Sequence, residues 1–94
     1  MHTMVVRMSI DPARAEEAAR HLREDVVGCA RQQPGVVNGQ WLRSPDGSEG
    51  IGVVVFASGD TAASAAQGPR SYPRDASRAW NVESVTVYEQ LTSA

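Results

Sequence analysis

Between Gly50 and Ala57 the chain reads Gly-Ile-Gly-Val-Val-Val-Phe-Ala, with Ile51, Val53, Val54, Val55 and Phe56 leaving almost no polar position. A run this short and this apolar, rich in β-branched residues, predicts a strand buried on both faces, at the centre of a sheet. An edge position would waste that burial. The rest of the chain has to supply neighbours on either side of the strand and cover for both of its faces.

The neighbours are legible. Met4, Val6, Met8 and Ile10 alternate with Val5, Arg7 and Ser9, which predicts a first strand. Asp11 offers a helix cap and Pro12 suits the first helical position, where its missing N–H costs nothing. From Pro12 to about Gln33, the residues Ala15, Ala18, Ala19, Leu22, Val26 and Cys29 recur at spacings of three and four, the stripe of an amphipathic helix. Pro34-Gly35 ends it. Val36 to Arg43 predicts a second strand, joined to Gly50–Ala57 by the turn cluster Ser44 to Ser48. Ser58 or Asp60 caps a short Ala-rich helix over Thr61 to Gln67. Gly68 to Ala79, with Pro69, Tyr72, Pro73 and three arginines, reads as a long irregular loop. Val82 to Leu91 predicts the last strand, and Thr92 to Ala94 a tail.

The order β-α-β-β-α-β with right-handed crossovers gives an α+β, ferredoxin-like fold: a four-stranded antiparallel sheet with two helices on one face. With 94 residues the chain fits a single domain spanning 1–94. Two helices cover only one side of the sheet. The apolar central strand therefore predicts that a second copy covers the other side, making a homodimer of the α/β-barrel type.

Several function classes find no support. A net charge of −2 and the absence of a basic stripe argue against nucleic acid. All nine basic residues are Arg, a bias that GC-rich coding produces by itself. No apolar run approaches the roughly 20 residues of a membrane span, and the N-terminus does not read as a signal peptide. Cys29 is the single cysteine, which leaves no intrachain disulfide and fits a cytoplasmic protein. Phosphate-loop, nucleophile-elbow and paired-Cys zinc patterns are missing, so neither a metal nor another cofactor is expected.

The stretches Pro34-Gly35-Val36-Val37, Gly39 to Arg43, Asp46-Gly47, the Val-rich strand ending in Phe56, and Val85-Thr86-Val87-Tyr88-Glu89 together resemble the dimeric α/β-barrel superfamily. Within it, the chain is most similar to the antibiotic biosynthesis monooxygenase-like proteins. The resemblance covers nearly the whole chain and rests on strand pattern and turn placement. It implies a cavity between sheet and helices, and it admits cofactor-independent oxygenases of polycyclic aromatics as well as haem-degrading enzymes. The latter use an Asn on the first strand with a Trp and a His in the second half. Here the first strand has no Asn, and both histidines, His2 and His21, fall in the first quarter of the chain.

The cofactor-independent oxygenases line their cavity with Asn, Trp, Tyr and Arg. By residue type alone, the resemblance implies Asn38, Trp41, Tyr72 and Arg7 as catalytic candidates, with Trp80 and Arg78 binding substrate. Each has a plainer reading. Trp41 can pack in a dimer interface and Trp80 can anchor the last strand. Arg7 can sit in an ion pair with Glu83 or Glu89, or bond to Tyr88. Arg70, Arg74 and Arg78 can belong to a solvated, mobile loop. Glu17, His21 and Asp25, spaced by four, read as a salt-bridged helix surface, and Cys29 as a core thiol. Two functions fit: a cofactor-free monooxygenase acting on a small planar aromatic or enolic substrate, or a non-catalytic dimeric ligand-binding or interaction module.

Overall fold

The computed structural model describes all residues, Met1–Ala94. Strand β1 (His2–Ile10) leads through a 3-10 turn, Pro12–Arg14, into α1 (Ala15–His21), a π-helical stretch (Leu22–Val26) and α2 (Val27–Arg31). Strands β2 (Val36–Arg43) and β3 (Glu49–Phe56), helix α3 (Gly59–Ser71) and strand β4 (Trp80–Glu89) follow. The sheet is antiparallel throughout, with order β2-β3-β1-β4. This is the ferredoxin-like α+β fold, with β3 inside the sheet as its apolar run predicts and β1 beside it.

Local chemistry sets the element ends. The Asp11 carboxylate accepts from the Ala13 amide at 3.0 Å with Pro12 beside it, and the Ser58 hydroxyl accepts from the Thr61 amide at 3.2 Å. Each satisfies a donor that a helix start leaves open. Between β2 and β3, Asp46 Oδ1 accepts from the Ser44 hydroxyl and from both the amide and hydroxyl of Ser48. Gly47 supplies the positive φ of 76° that this turn requires.

Period-two geometry sorts the sheet into two faces. Met4, Val6, Met8 and Ile10 of β1 and Val54 and Phe56 of β3 form a core with Ala18 and Leu22 of the first helical segments and Ala62, Ala65 and Ala66 of α3. The small α3 residues let that helix sit close against β1, β3 and β4. The opposite face carries Arg7, Gln40, Leu42, Ile51, Val53 and Val55, which are half-buried or exposed. Strand β3 is thus fully buried on its helix-facing side only within one chain, not on both sides.

Several element boundaries differ from the sequence reading, and the single helix expected from Pro12 to Gln33 is divided by the π-helical stretch. Helix α3 runs from Gly59 to Ser71 instead of stopping at Gln67. Pro69 is tolerated because it falls in the last turn, where only one further helical bond is lost. The last strand starts at Trp80 and ends at Glu89, leaving Leu91 92% exposed beyond it. The connection before it is fastened and not loose. Asn81 accepts from the Asp75 amide at 2.9 Å and donates to the Asp75 carbonyl at 3.0 Å, while Asp75 accepts from Ser77.

Candidate functional site

A cavity of about 380 Å³ opens between the helix-facing side of the sheet and the helices. Its floor is Met4, Val6, Met8, Val54 and Phe56, the apolar face set by strand alternation. One wall is Trp41. Its indole lies flat across Gly39 and Gly52, where a Cβ would approach the ring to 3.1 and 3.0 Å. Two glycines in adjacent strands thus make the level bed that a bicyclic side chain needs against a pleated sheet.

The other wall is built at the start of β4. Trp80, only 4% exposed, stacks on Tyr72 with ring centroids 5.6 Å apart and planes 10° from parallel. The Arg78 guanidinium lies over both rings, 4.5 Å from the Tyr72 centroid and 5.1 Å from that of Trp80. Its N–H groups donate to the carbonyls of Trp80 and Pro73 and to Asn81 Oδ1, each at 2.8 Å. Arg78 therefore braces the aromatic pair and is not among the cavity-lining residues.

The Trp80 indole N–H donates to His21 Nδ1 at 2.8 Å, and His21 Nε2 stands 3.4 Å from Asp25 Oδ2. An indole is a donor only, so His21 Nδ1 carries no proton in this arrangement and the imidazole proton sits on Nε2, towards Asp25. Both residues line the cavity. Glu17 pairs with Arg14 and His21 with Asp25, as a salt-bridged helix surface predicts, but the second pair also edges the cavity. Cys29 is likewise exposed along the cavity instead of sitting in the core. The π-helical stretch Leu22–Val26 follows His21 and contains Asp25, a local widening that recurs at functional positions in helices. A buried Trp whose N–H needs a partner was the one signal pointing towards a histidine.

The candidates from sequence divide into two groups. Trp41, Tyr72 and Trp80 come together around the cavity. Asn38 and Arg7 stand apart from it. A bulge at Val37 pairs Asn38 with Val55, turning it to the open sheet face. Arg7 pairs across the sheet with Ile51 on that same face, and its guanidinium bonds Glu49 rather than Glu83, Glu89 or Tyr88. Glu83 is held instead by Arg74 at 2.9 Å and Ser9 at 2.7 Å, contacts that lower its pKa. No cluster of three or more His, Cys, Asp or Glu side chains is placed to hold a metal, and no helix is long and apolar enough to cross a membrane.

No family model matches the chain, and no curated protein matches it in sequence. Solved structures do. The haem-degrader MhuD from Mycobacterium tuberculosis, seen with two haems in its active site, superposes with a TM-score of 0.76 at 15% identity, over 100% of this chain and 99% of that one. The monooxygenase ActVA-Orf6 of Streptomyces coelicolor, in complex with nanaomycin D, gives 0.64 at 15% identity over 99% and 89%. SnoaB, a cofactor-independent oxygenase from Streptomyces nogalater, gives 0.63 at 18% identity over 98% and 94%. The chain has the ferredoxin-like fold of the antibiotic biosynthesis monooxygenase-like proteins. At these identities the likeness concerns the fold, and the site has to speak for its own chemistry.

Proposed function

We propose that this protein binds a planar aromatic ligand in the sheet–helix cavity and oxygenates it without a cofactor, as a homodimer. The observation that carries the reading is the cavity itself. At about 380 Å³ it falls within the roughly 300–1,000 Å³ of small-molecule sites, and it is largely apolar, with Trp41 on one side and the Trp80–Tyr72 stack on the other. Flat aromatic walls favour a flat ligand. His21, Asp25, Gln33 and Ser64 supply polar contacts for its oxygens.

The reaction needs no metal or flavin when the substrate provides the electrons. An anthrone-type methylene gives up a proton, and the resulting carbanion passes electrons to dioxygen. A C–O bond forms, and loss of water leaves a quinone carbonyl. One oxygen atom ends in the product and the other in water. The protein's share is to hold the ring system, exclude bulk water and accept a proton at the polar edge.

The dimer is supported by the open sheet face. It carries Val5, Leu42, Ile51, Val53, Val55 and Tyr88 beside the polar Arg7, Asn38 and Gln40, while the helices lie on the other side. A second copy turned face to face would bury it.

Incubating the protein with anthrone under air and following oxygen uptake tests the oxygenase. One dioxygen consumed per quinone formed, above the protein-free rate, is the expected result. No rate above background removes the oxygenase claim. A second reading, a non-catalytic ligand-binding module, is favoured by one feature: no cation lines the cavity to hold a developing oxyanion, and Arg7 is tied to Glu49 elsewhere. Quenching of tryptophan fluorescence by anthrone without oxygen uptake would select it.

A further inference from the structure

The distribution of charge around the cavity is one-sided. All nine basic residues are arginines, and none lines it. Arg7, Arg14, Arg43 and Arg74 are paired with Glu49, Glu17, Glu16 and Glu83, and the donors of Arg78 are taken by Trp80, Pro73 and Asn81. The imidazole of His21 enters the site neutral while its Nδ1 accepts the indole N–H. What remains is the carboxylate of Asp25, at the cavity edge beside His21 Nε2.

From this we infer that the cavity selects uncharged, hydroxyl-bearing planar ligands against carboxylated ones, with Asp25 accepting the ligand's hydroxyl. The inference rests on the ligand-binding reading above and names the class of ligand. A carboxylate drawn into the cavity loses hydration, finds no cation among the lining residues to replace it and meets the like charge of Asp25, 69% exposed at the rim. A hydroxyl instead donates to Asp25 in a charge-assisted bond, roughly twice as strong as a neutral one. Haem, with its two propionates, belongs to the disfavoured class even though the fold is that of a haem-degrader.

The test uses the full chain in mildly alkaline buffer, titrated with two probes of the same ring system: hydroxymethyl-anthraquinone and the matching anthraquinone carboxylate. Tryptophan fluorescence reports binding. The carboxylate is expected to bind at least about tenfold more weakly, the ratio that corresponds to about 1.4 kcal/mol. Asp25→Asn should weaken the hydroxyl probe and narrow the gap. Gln33→Arg, which adds a cation at the same lining, should strengthen the carboxylate probe. Equal affinities for the two probes, or an unchanged gap in Asp25→Asn, overturn the inference and leave the ligand-binding reading standing. Failure of both probes to bind removes both.

Discussion

Replacing Trp80 by Phe keeps a ring in the stack with Tyr72 but deletes the N–H that His21 accepts at 2.8 Å. A net hydrogen bond contributes about 0.5–1.5 kcal/mol. The His21 side chain is 32% exposed, so water can replace part of the lost bond, which places the expected coupling at about 0.5–1 kcal/mol. Trp80→Phe also changes volume, and His21→Ala also removes a ring packed 5.5 Å from the indole. A double-mutant cycle cancels most of those separate losses and leaves the pair. For a chain of this size, 1 kcal/mol moves the melting temperature by about 4–8 °C. The double variant should therefore melt about 2–8 °C higher than the sum of the single effects predicts. Thermal unfolding followed by circular dichroism gives all four values. If the two losses add to within about 0.3 kcal/mol, the bond contributes nothing and the account of how the wall is held is wrong.

The backbone between α2 and β2 offers a second test. Gly35 has a φ of +77°, and a Cβ there would stand 2.7 Å from Thr61 Oγ1. Gly35→Ala should cost about 2–5 kcal/mol from the left-handed conformation and the overlap together, read as a lower urea midpoint; an unchanged midpoint contradicts the geometry. Asp46 has its pKa lowered from 3.8 to about 2, chiefly by the Ser48 amide and the Ser48 and Ser44 hydroxyls. Its folded pKa is depressed, so its stabilising contribution is complete above the ordinary value and is lost as pH falls through about 2. Urea midpoints of the parent and Asp46→Ala should converge over that interval, and a constant difference would deny the linkage. On the open face, Val53→Asp places like charges near each other across a twofold pairing. Light scattering after size exclusion should show a dimer for the parent and a monomer for the variant, and a monomeric parent at micromolar concentration contradicts the pairing.

Strands carry their faces in the sequence, because alternation is local and a one-residue slip would expose the whole set. That is why β1 and its inward residues are readable, whereas the unbroken apolar run of β3 marks the strand without marking its face. Helical faces were readable only where large apolar residues marked them. His21 and Asp25 flank the stripe of Ala18 and Leu22, and a polar residue beside an apolar stripe looks the same whether it meets solvent or a cavity. The π-helical stretch, Leu22–Val26, also shifts the phase of the helix at this point, and nothing in the residues announces it. Arg7 and Asn38 were assigned to the site by residue type, which carries no face. The sheet register moved both to the other side, Asn38 by way of a bulge that composition does not show.

The apolar run in β3 has two separate causes, one for each parity. Gly50, Gly52, Val54 and Phe56 face the helices. Phe56 and Val54 fill the core and the cavity floor, and Gly52 leaves the space in which the Trp41 indole lies flat. Ile51, Val53 and Val55 face the open side and remain half-buried in one chain, so their apolarity is unexplained by the core they do not join. The partner proposed for that side would supply the missing cause. The two demands are separable because successive side chains project to opposite faces. Changes at odd positions of β3 should alter assembly while leaving the ligand walls in place. Filling Gly52 should displace Trp41 and reshape the cavity without touching the open sheet face.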